Sequence, residues 1–476
     1  MFQKLLIANR GEVAVRIARA ARELGLRTVA VFSEADRGAR WLANMDEAVG
    51  IGGSAPRESY LRADRIVQAA LQTNASAIHP GWGFLAENAR FAALCEQHGV
   101  TFVGPSPEVM RKMGLKSPAK AAMRAAGLPV IPGSNGLLVD VEDAVECARK
   151  TGFPVILKAD AGGGGRGMRL CRDEAEVRAA FPAASAEAQS AFGNGAMYLE
   201  KYLTGGRHIE VQILGDRFGN AVHLFERECS IQRSHQKLIE ESPSSALDAK
   251  TGGELGTMAA RAAASIGYAG AGTIEFLRSA EGPIYFMEMN TRLQVEHPVT
   301  ERITGIDIVK EQLAVAANRR LSLTQSTIVA RGHAIECRVN AEDPEQNFRP
   351  APGLLSAFEF PLDRGPGSVR VDTHLVAGDE IPPFYDSLIA KVIAHGDTRE
   401  EAIETMVRTL TAAKVQGVPT TIALHLAVLK SHEFRRGEYD TRSIPGWKPA
   451  MVTTIETVSR DQTHKHAKSP SGNANG

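Results

Sequence analysis

The chain opens with an apolar run, Lys4-Leu5-Leu6-Ile7-Ala8, followed by a turn at Asn9-Arg10-Gly11 and an Ala/Arg/Ile stretch to Leu24 that stops at Gly25. That order predicts strand, turn and helix, because glycine takes up the left-handed conformation that ends a helix without a Cβ clash. Arg27 to Phe32 reads as the next strand, and short apolar runs at Ala75 to Ile78 and Val100 to Val103 repeat the rhythm. A β-α-β alternation of this kind predicts a parallel doubly wound sheet over about the first 110 residues. The first turn lacks the second and third glycines of a GxGxxG fingerprint, so NAD binding is not expected.

A helix from about Ser117 to Ala126 is broken by Gly127-Leu128-Pro129, where a second, strand-rich unit begins. Phe153-Pro154-Val155-Ile156-Leu157-Lys158 reads as a strand emptying into Gly162-Gly163-Gly164-Gly165-Arg166-Gly167-Met168. Strict alternation in His208-Ile209-Glu210-Val211-Gln212-Ile213 puts His208, Glu210 and Gln212 on one strand face, which is expected to line a solvated cleft. The polar stretch from Cys229 to Lys237 reads as a loop over a site. From Arg331 onward, short strands, Pro/Gly turns and a closing helix around Arg399 to Ala413 predict a separate α+β domain. The polar end beyond about Val452 is expected to be disordered.

Composition narrows the class. The 476 residues exceed one small module, and 43% hydrophobic with 23% charged residues is ordinary for a soluble globular protein. Fifty-five Lys plus Arg balance 55 Asp plus Glu, so no nucleic-acid partner is expected and any basic site is local. Five dispersed cysteines form no CxxC pair, which fits a reduced, cytoplasmic setting. No apolar run is long enough for a membrane span.

The glycine run can expose backbone N–H groups to an anion, and Lys158 on the preceding strand adds a point charge, so a polyphosphate is the expected guest. The GxxxxGK[ST] loop is absent. Glu275, Glu288 and Asn290 offer hard oxygen donors flanked by apolar residues, a donor set suited to Mg²⁺. Arg292 and Arg338 can grip small oxyanions bidentately, and Glu296 between them reads either as a base or as a structural counterion. Arg16, Arg19 and Glu23 on the first helix read as a solvated or interface face, and His79-Pro80-Gly81-Trp82-Gly83-Phe84 as a packed turn.

Lys4 to Ile17, His79 to Asn88, the glycine run, His235-Gln236-Lys237 and Glu288-Met289-Asn290-Thr291-Arg292-Leu293-Gln294-Val295-Glu296-His297-Pro298 together resemble the biotin carboxylases of the ATP-grasp superfamily, over about residues 2 to 446. The resemblance implies a three-domain α/β and α+β architecture. Its parts are an N-terminal Rossmann-like domain (1–114), an ATP-grasp core (115–330) with a mobile lid subdomain (about 131–203), a C-terminal biotin carboxylase domain (331–446), and a tail (447–476). It implies that Lys116 and Lys158 contact ATP phosphates and that Gly164, Gly165 and Met168 belong to the lid side. Glu200, Lys201, Tyr202 and Leu203 would line the adenine pocket, with His208, Gln232 and His235 completing the nucleotide site. Glu275, Glu288 and Asn290 would hold two Mg²⁺ or Mn²⁺ ions.

By the same resemblance, Lys237, Arg292, Gln294 and the Val295 backbone would seat bicarbonate, Glu296 would be the base, and Arg338 would stabilise the biotin enolate. Trp82, Ala86, Leu115 and Trp41 depart from the family's usual Tyr, Ser, Asp and His. With no Met-Lys-Met motif present, the biotin carboxyl carrier protein and the carboxyltransferase subunits are expected on other polypeptides. The Pro382 to Ser387 region points to acetyl-CoA carboxylase, with pyruvate, propionyl-CoA or other acyl-CoA carboxylases as alternatives, and the family implies a homodimer. Two further classes stay open: another ATP-grasp ligase forming an acyl-phosphate, and a catalytically silent nucleotide-binding partner.

Overall fold

The computed structural model describes residues 2–161, 168–361 and 367–448. Five strands, β1 (Lys4–Ile7), β2 (Arg27–Ser33), β3 (Glu47–Gly52), β4 (Ala77–His79) and β5 (Thr101–Phe102), form an all-parallel sheet in the order β3-β2-β1-β4-β5. Helices α1 (Gly11–Glu23), α2 (Ala63–Gln72) and α3 (Ala89–Gln97) are its main crossovers. Leu5, Leu6 and Ile7 are fully buried, as expected of a strand covered on both faces. The turn at Asn9–Gly11 sits where the strand order reverses, the place at which open α/β sheets present loops to ligands. Gly11 has φ +67°, and Asn9 donates to the carbonyls of Pro80 and Trp82, locking this turn to the one after β4.

Helices α4 (Pro107–Gly114) and α5 (Lys116–Ala125) lead to a small body made of α6 (Val141–Thr151), α7 (Glu174–Phe192) and three antiparallel strands. These strands are β6 (Val155–Ala159), β7 (Met168–Cys171) and β8 (Met197–Lys201), in the order β7-β6-β8. Ser106, Asp140 and Asp173 cap α4, α6 and α7 through side-chain oxygens that accept orphan backbone N–H groups. Gly164 and Gly165 lie outside the described residues, as does the tail beyond Lys448.

The centre of the molecule is an eight-stranded antiparallel sheet. It contains β9 (Arg207–Gly215), β10 (Ala221–Arg233), β11 (Gln236–Ser242), β12 (Gly270–Arg278), β13 (Ile284–Asn290) and β14 (His333–Asn340), with strands Leu388–Gly396 and Ser368–Asp372 beyond β14. The order is β13-β12-β9-β10-β11-β14, then Leu388–Gly396 and Ser368–Asp372. Helix α8 (Ala249–Ser265) packs on β9 and β10, while α9 (His297–Thr304) and α10 (Ile308–Ala316) follow the loop after β13.

The segment after Arg331 continues the central sheet: β14 pairs with β11, and one core joins Ile231, Leu238 and Ile239 to Ile335, Val392, Met406 and Phe434. Two expectations need correction here. Helix α11 (Arg399–Ala412) does not close the chain, because α12 (Ile422–Lys430) and α13 (His432–Arg436) follow it. Cys229 to Lys237 is a hairpin rather than a loop, turning at Ser234 and His235, both with positive φ. Ser234, His235 and Gln236 at its tip are exposed, Gln232, Arg233 and Lys237 are half-buried, and Ser230 is buried.

Pairing in that hairpin steps from Gln232–Lys237 to Ile231–Ile239, which leaves Leu238 as an extra residue in β11. The bulge turns Lys237 to the same sheet face as Glu240. A second irregularity pairs Glu275 with Glu288 but Phe276 with Phe286, so Met287 is extra in β13 and both Met287 and Glu288 line the cavity described next.

Candidate active site

A cavity of about 800 Å³ opens between the small three-stranded body, the central sheet and the β4 turn. Lys116, Lys158, Met168, Lys201 and Leu203 line it from one side, His208, Gln232, His235 and Lys237 from its floor, and Glu275, Glu288, Asn290, Arg292, Gln294, Val295 and Arg338 from the other. The structure therefore brings together almost all of the candidate residues. Glu200 and Glu296 lie just beneath this lining, buried to 3% and 0% exposure, and act on it through lysine and arginine.

Glu200 accepts from Lys120 at 2.6 Å and from Lys158 at 2.5 Å. Burial opposes its charge, but Lys158 and Lys120 outweigh that and hold the carboxyl below its usual range. Lys158 is thereby fixed on β6 pointing into the cavity. Lys116 enters from the start of α5 and donates to Glu288 Oε2 at 2.8 Å.

Lys237 is the hub of the floor. Its ammonium donates to Glu296 Oε1 at 2.6 Å, to Glu275 Oε1 at 3.0 Å and to Glu210. Burial works against the cation, yet Glu210, Glu275 and Glu296 together raise its pKa well above the ordinary lysine value. Glu210 also accepts from the fully buried Arg227, which in turn donates to Gln212 and Thr300. The polar face of β9 thus corrects the solvated reading: His208, Glu210 and Gln212 are 6%, 0% and 0% exposed, and ionic partners from β10 and β11 replace water. Glu210 and Arg227 were not among the candidate site residues. The alternating charges of β9 were a signal for Glu210, but Arg227 sits in a segment whose register only the pairing reveals.

Glu296 precedes α9 and meets two cations, Lys237 through Oε1 and Arg338 through Oε2 at 2.9 Å. Burial pushes its carboxyl up, but Lys237, Arg338 and Arg227 prevail and hold it well below the usual carboxylate range. Arg338 on β14 also donates from Nε to Glu240 Oε1 at 2.6 Å. Arg292 is steered by Glu87, which accepts from its Nε at 2.8 Å, and by Gln294 and Asn290, each near 3.1 Å. Three cations, Lys237, Arg292 and Arg338, therefore converge on one mouth of the cavity beside the Val295 backbone.

The carboxylates of Glu275 and Glu288 face each other across the β12–β13 pair, with Asn290 two residues further along. Glu275 Oε1 also accepts from Asn290 at 2.8 Å, and its Oε2 lies 3.2 Å from His208 Nε2. Burial again opposes ionisation, but Lys237 and His208 keep Glu275 charged far into the acid range. Paired carboxylate oxygens at a cavity wall, with Lys116 and Lys158 on the facing side, suit a divalent cation bound between protein and phosphate. Arg16 does not stay at the surface: it is 3% exposed and binds Glu301 and Asp307 at 2.7 and 2.6 Å, whereas Arg19 is exposed and Glu23 pairs with Lys310.

Three family models match in succession: "Biotin carboxylase, N-terminal domain" over residues 1–110, "Carbamoyl-phosphate synthase L chain, ATP binding domain" over 116–324 and "Biotin carboxylase C-terminal domain" over 336–445. The biotin carboxylase of Nostoc sp. is 53% identical over 92% of this chain and 98% of its own. A pyruvate carboxylase subunit of Methanothermobacter thermautotrophicus is 50% identical over 97% and 93%. The biotin carboxylase domain of the Hydrogenobacter thermophilus 2-oxoglutarate carboxylase, solved as a dimer with MgADP, ADP and bicarbonate, superposes with a TM-score of 0.88. It is 49% identical over 93% of this chain and 97% of that one. The Campylobacter jejuni biotin carboxylase bound to a β,γ-ATP ligand gives a TM-score of 0.89 at 46% identity, over 93% and 98%. From its first strand to the end of its last helix, the chain belongs to the biotin carboxylase family.

Proposed function

We propose that this protein carboxylates biotin on a carrier protein, using bicarbonate and ATP, as the first half-reaction of acetyl-CoA carboxylase. The observation that carries the reading is the convergence of Lys237, Arg292 and Arg338 beside Glu296, at the end of a cavity whose far side presents Lys116 and Lys158. One end seats a small anion and the other a polyphosphate.

ATP would lie with its adenine against Glu200, Lys201, Tyr202 and Leu203, its phosphates against Lys116 and Lys158, and His208, Gln232 and His235 along the floor. Glu275, Glu288 and Asn290 would hold Mg²⁺ or Mn²⁺, which neutralises phosphate charge when bound. Bicarbonate would sit on Lys237, Arg292, Gln294 and the Val295 backbone. An oxygen of bicarbonate attacks the γ-phosphorus, ADP leaves and carboxyphosphate forms, while Glu296 takes the bicarbonate proton. In the ligand-free site Lys237 and Arg338 make Glu296 a weak base. An anion seated on Lys237 draws that positive field toward itself and raises the carboxylate's proton affinity where it is needed. Carboxyphosphate then separates into CO₂ and phosphate. Phosphate removes the N1 proton of biotin, Arg338 stabilises the enolate, and N1 bonds to CO₂. Closure of the β6–β8 body over the site would keep water from carboxyphosphate.

The working domain division is 1–114, 115–330 and 331–446. Among the described residues no helix is long and apolar enough to cross a membrane, and five unpaired cysteines support a reduced, cytoplasmic setting. A homodimer completes the proposal. Acetyl-CoA is the proposed final acceptor, chosen over pyruvate, propionyl-CoA and 2-oxoglutarate on the Pro382 to Ser387 segment. The test is bicarbonate-dependent ATP cleavage stimulated by free biotin. Stimulation by an amine or amino acid in place of biotin defeats the reading, and the transferase that copurifies with the biotinylated carrier decides the acceptor.

A further inference from the structure

Behind Arg338 lies a second pair of acids that the reaction above does not use. Glu240 on β11 and Glu336 on β14 are directly opposed in the antiparallel register, so their side chains leave the same sheet face as neighbours. Both are 0% exposed. Glu240 Oε1 accepts from Arg338, but among the described residues Glu240 Oε2 and both oxygens of Glu336 have no hydrogen-bond partner. Three bare carboxylate oxygens, side by side and out of water, are incompatible with two full negative charges. A proton on Glu336 removes one of the two charges and turns one acceptor into a donor for the bare Glu240 oxygen, so that only a neutral carbonyl oxygen of Glu336 is left without a partner among the described residues.

We propose that Glu336 is held protonated and donates to Glu240 Oε2, so that Glu240 keeps a single negative charge and acts with Glu336 as the positioning pair for the Arg338 guanidinium. The charged groups that face the pair are Arg338 on its own strand, Lys237 from β11, Glu296 from the start of α9 and Lys391 from strand Leu388–Gly396. Lys391 is already engaged, pairing with Glu12 at 3.0 Å and donating to the Val295 carbonyl at 3.0 Å. Burial raises the Glu336 carboxyl well above its usual range, with Lys391 and Arg338 opposing and Glu240 and Glu296 adding to it. Glu240, also raised by burial and also opposed by Arg338, reaches about 7. The bond to the guanidinium marks Glu240 as the ionised member. Losing the shared proton at alkaline pH places a second charge beside Arg338 and pulls it toward the pair, away from the cavity mouth.

The inference rests on the proposed role of Arg338, and one measurement separates the two. Isotope-edited infrared spectra of the wild-type protein at neutral pH should show a protonated glutamic acid carbonyl stretch that is missing in Glu336→Gln. That band reports the proton whether or not biotin is a substrate. Absence of the band in wild type, or its survival in Glu336→Gln, overturns the assignment. In kinetics, Glu336→Gln should lose the alkaline limb of biotin carboxylation. Glu240→Gln, which removes the anion that holds Arg338, should lower biotin carboxylation about tenfold more than bicarbonate-dependent ATP cleavage. Equal loss of both activities in Glu240→Gln, or an unchanged alkaline limb in Glu336→Gln, also overturns it. A wild-type protein with the infrared band but no biotin turnover would sink the proposed function and leave the proton in place.

Discussion

Arg338 serves two fully buried carboxylates at once, Glu240 and Glu296, through the separate N–H groups of one rigid guanidinium fork. Truncation to Ala leaves both acids without that cation, at a cost of roughly 3–5 kcal/mol by analogy with broken buried pairs. Because its proposed task follows carboxyphosphate formation, Arg338→Ala should lower biotin carboxylation more than bicarbonate-dependent ATP cleavage, and equal loss of both would remove the assignment. Glu296 yields a different expectation. Lys237, Arg338 and Arg227 outweigh burial and hold it well below the carboxylate range, so it stays ionised as pH falls through about 4.3, where an ordinary glutamate takes up its proton. Carbon-13 NMR of labelled glutamates should show no Glu296 titration as pH falls from about 8 to about 4, across the ordinary glutamate value. A titration inside that window would mean that Lys237, Arg338 and Arg227 do not hold it ionised in solution. The pairing of Glu275 with Glu288 was legible in the sequence because alternation and apolar flanks place two acids on buried strands. The Glu240–Glu336 pair was not, since each of these acids looks ordinary until the register sets one opposite the other.

At the level of elements, β11 carries the site on one face and an anchor on the other. Glu241 accepts from Arg399 at the start of α11, lies 2.7 Å from His333 on β14, and accepts from Tyr439 at 2.6 Å. Burial opposes its charge, but His333 and Arg399 hold its carboxyl far below the usual value. A folded-state pKa depressed in this way contributes stability that is present above the unfolded value of about 4.3 and is lost as pH falls below it. Glu241→Gln should therefore cost about 3 kcal/mol at pH 7, and the gap to wild type should narrow in denaturant titrations as pH falls below about 4. A gap independent of pH would show that the side chain acts by shape instead of charge. No strand at Gln236–Ser242 was read from the sequence. Its bulge at Leu238 could not be, because an extra residue is defined only against the strand it pairs with.

Across the whole molecule, ions between residues far apart in sequence join the parts. Arg16 of α1 binds Glu301 and Asp307, Arg370 binds Glu301 and Asp372, and Lys391 ties Glu12 to the Val295 carbonyl at the edge of the site. Periodicity along a chain carries no information about such partners, which is why Arg16 looked like a surface residue. It also hides that the sheet runs unbroken through the point where the texture of the sequence changes. Residues Ile239 to Ser242 pair with Ala334 to Cys337, and the core beneath them draws side chains from both sides of Arg331. The C-terminal strands should accordingly unfold together with the ATP-grasp sheet and not before it. In native-state hydrogen exchange, backbone amides of β11 and β14 should open with the same free energy and the same denaturant dependence, while those of β6 to β8, in a sheet and core of their own, open more easily. A chain cut after residue 330 would expose β11 as a bare edge with Leu238 and Ile239 uncovered, and should aggregate rather than persist as a monomer. Earlier exchange of β14 than β11, or a stable soluble 1–330 fragment, would show instead that the two halves of the sheet are independent folding units.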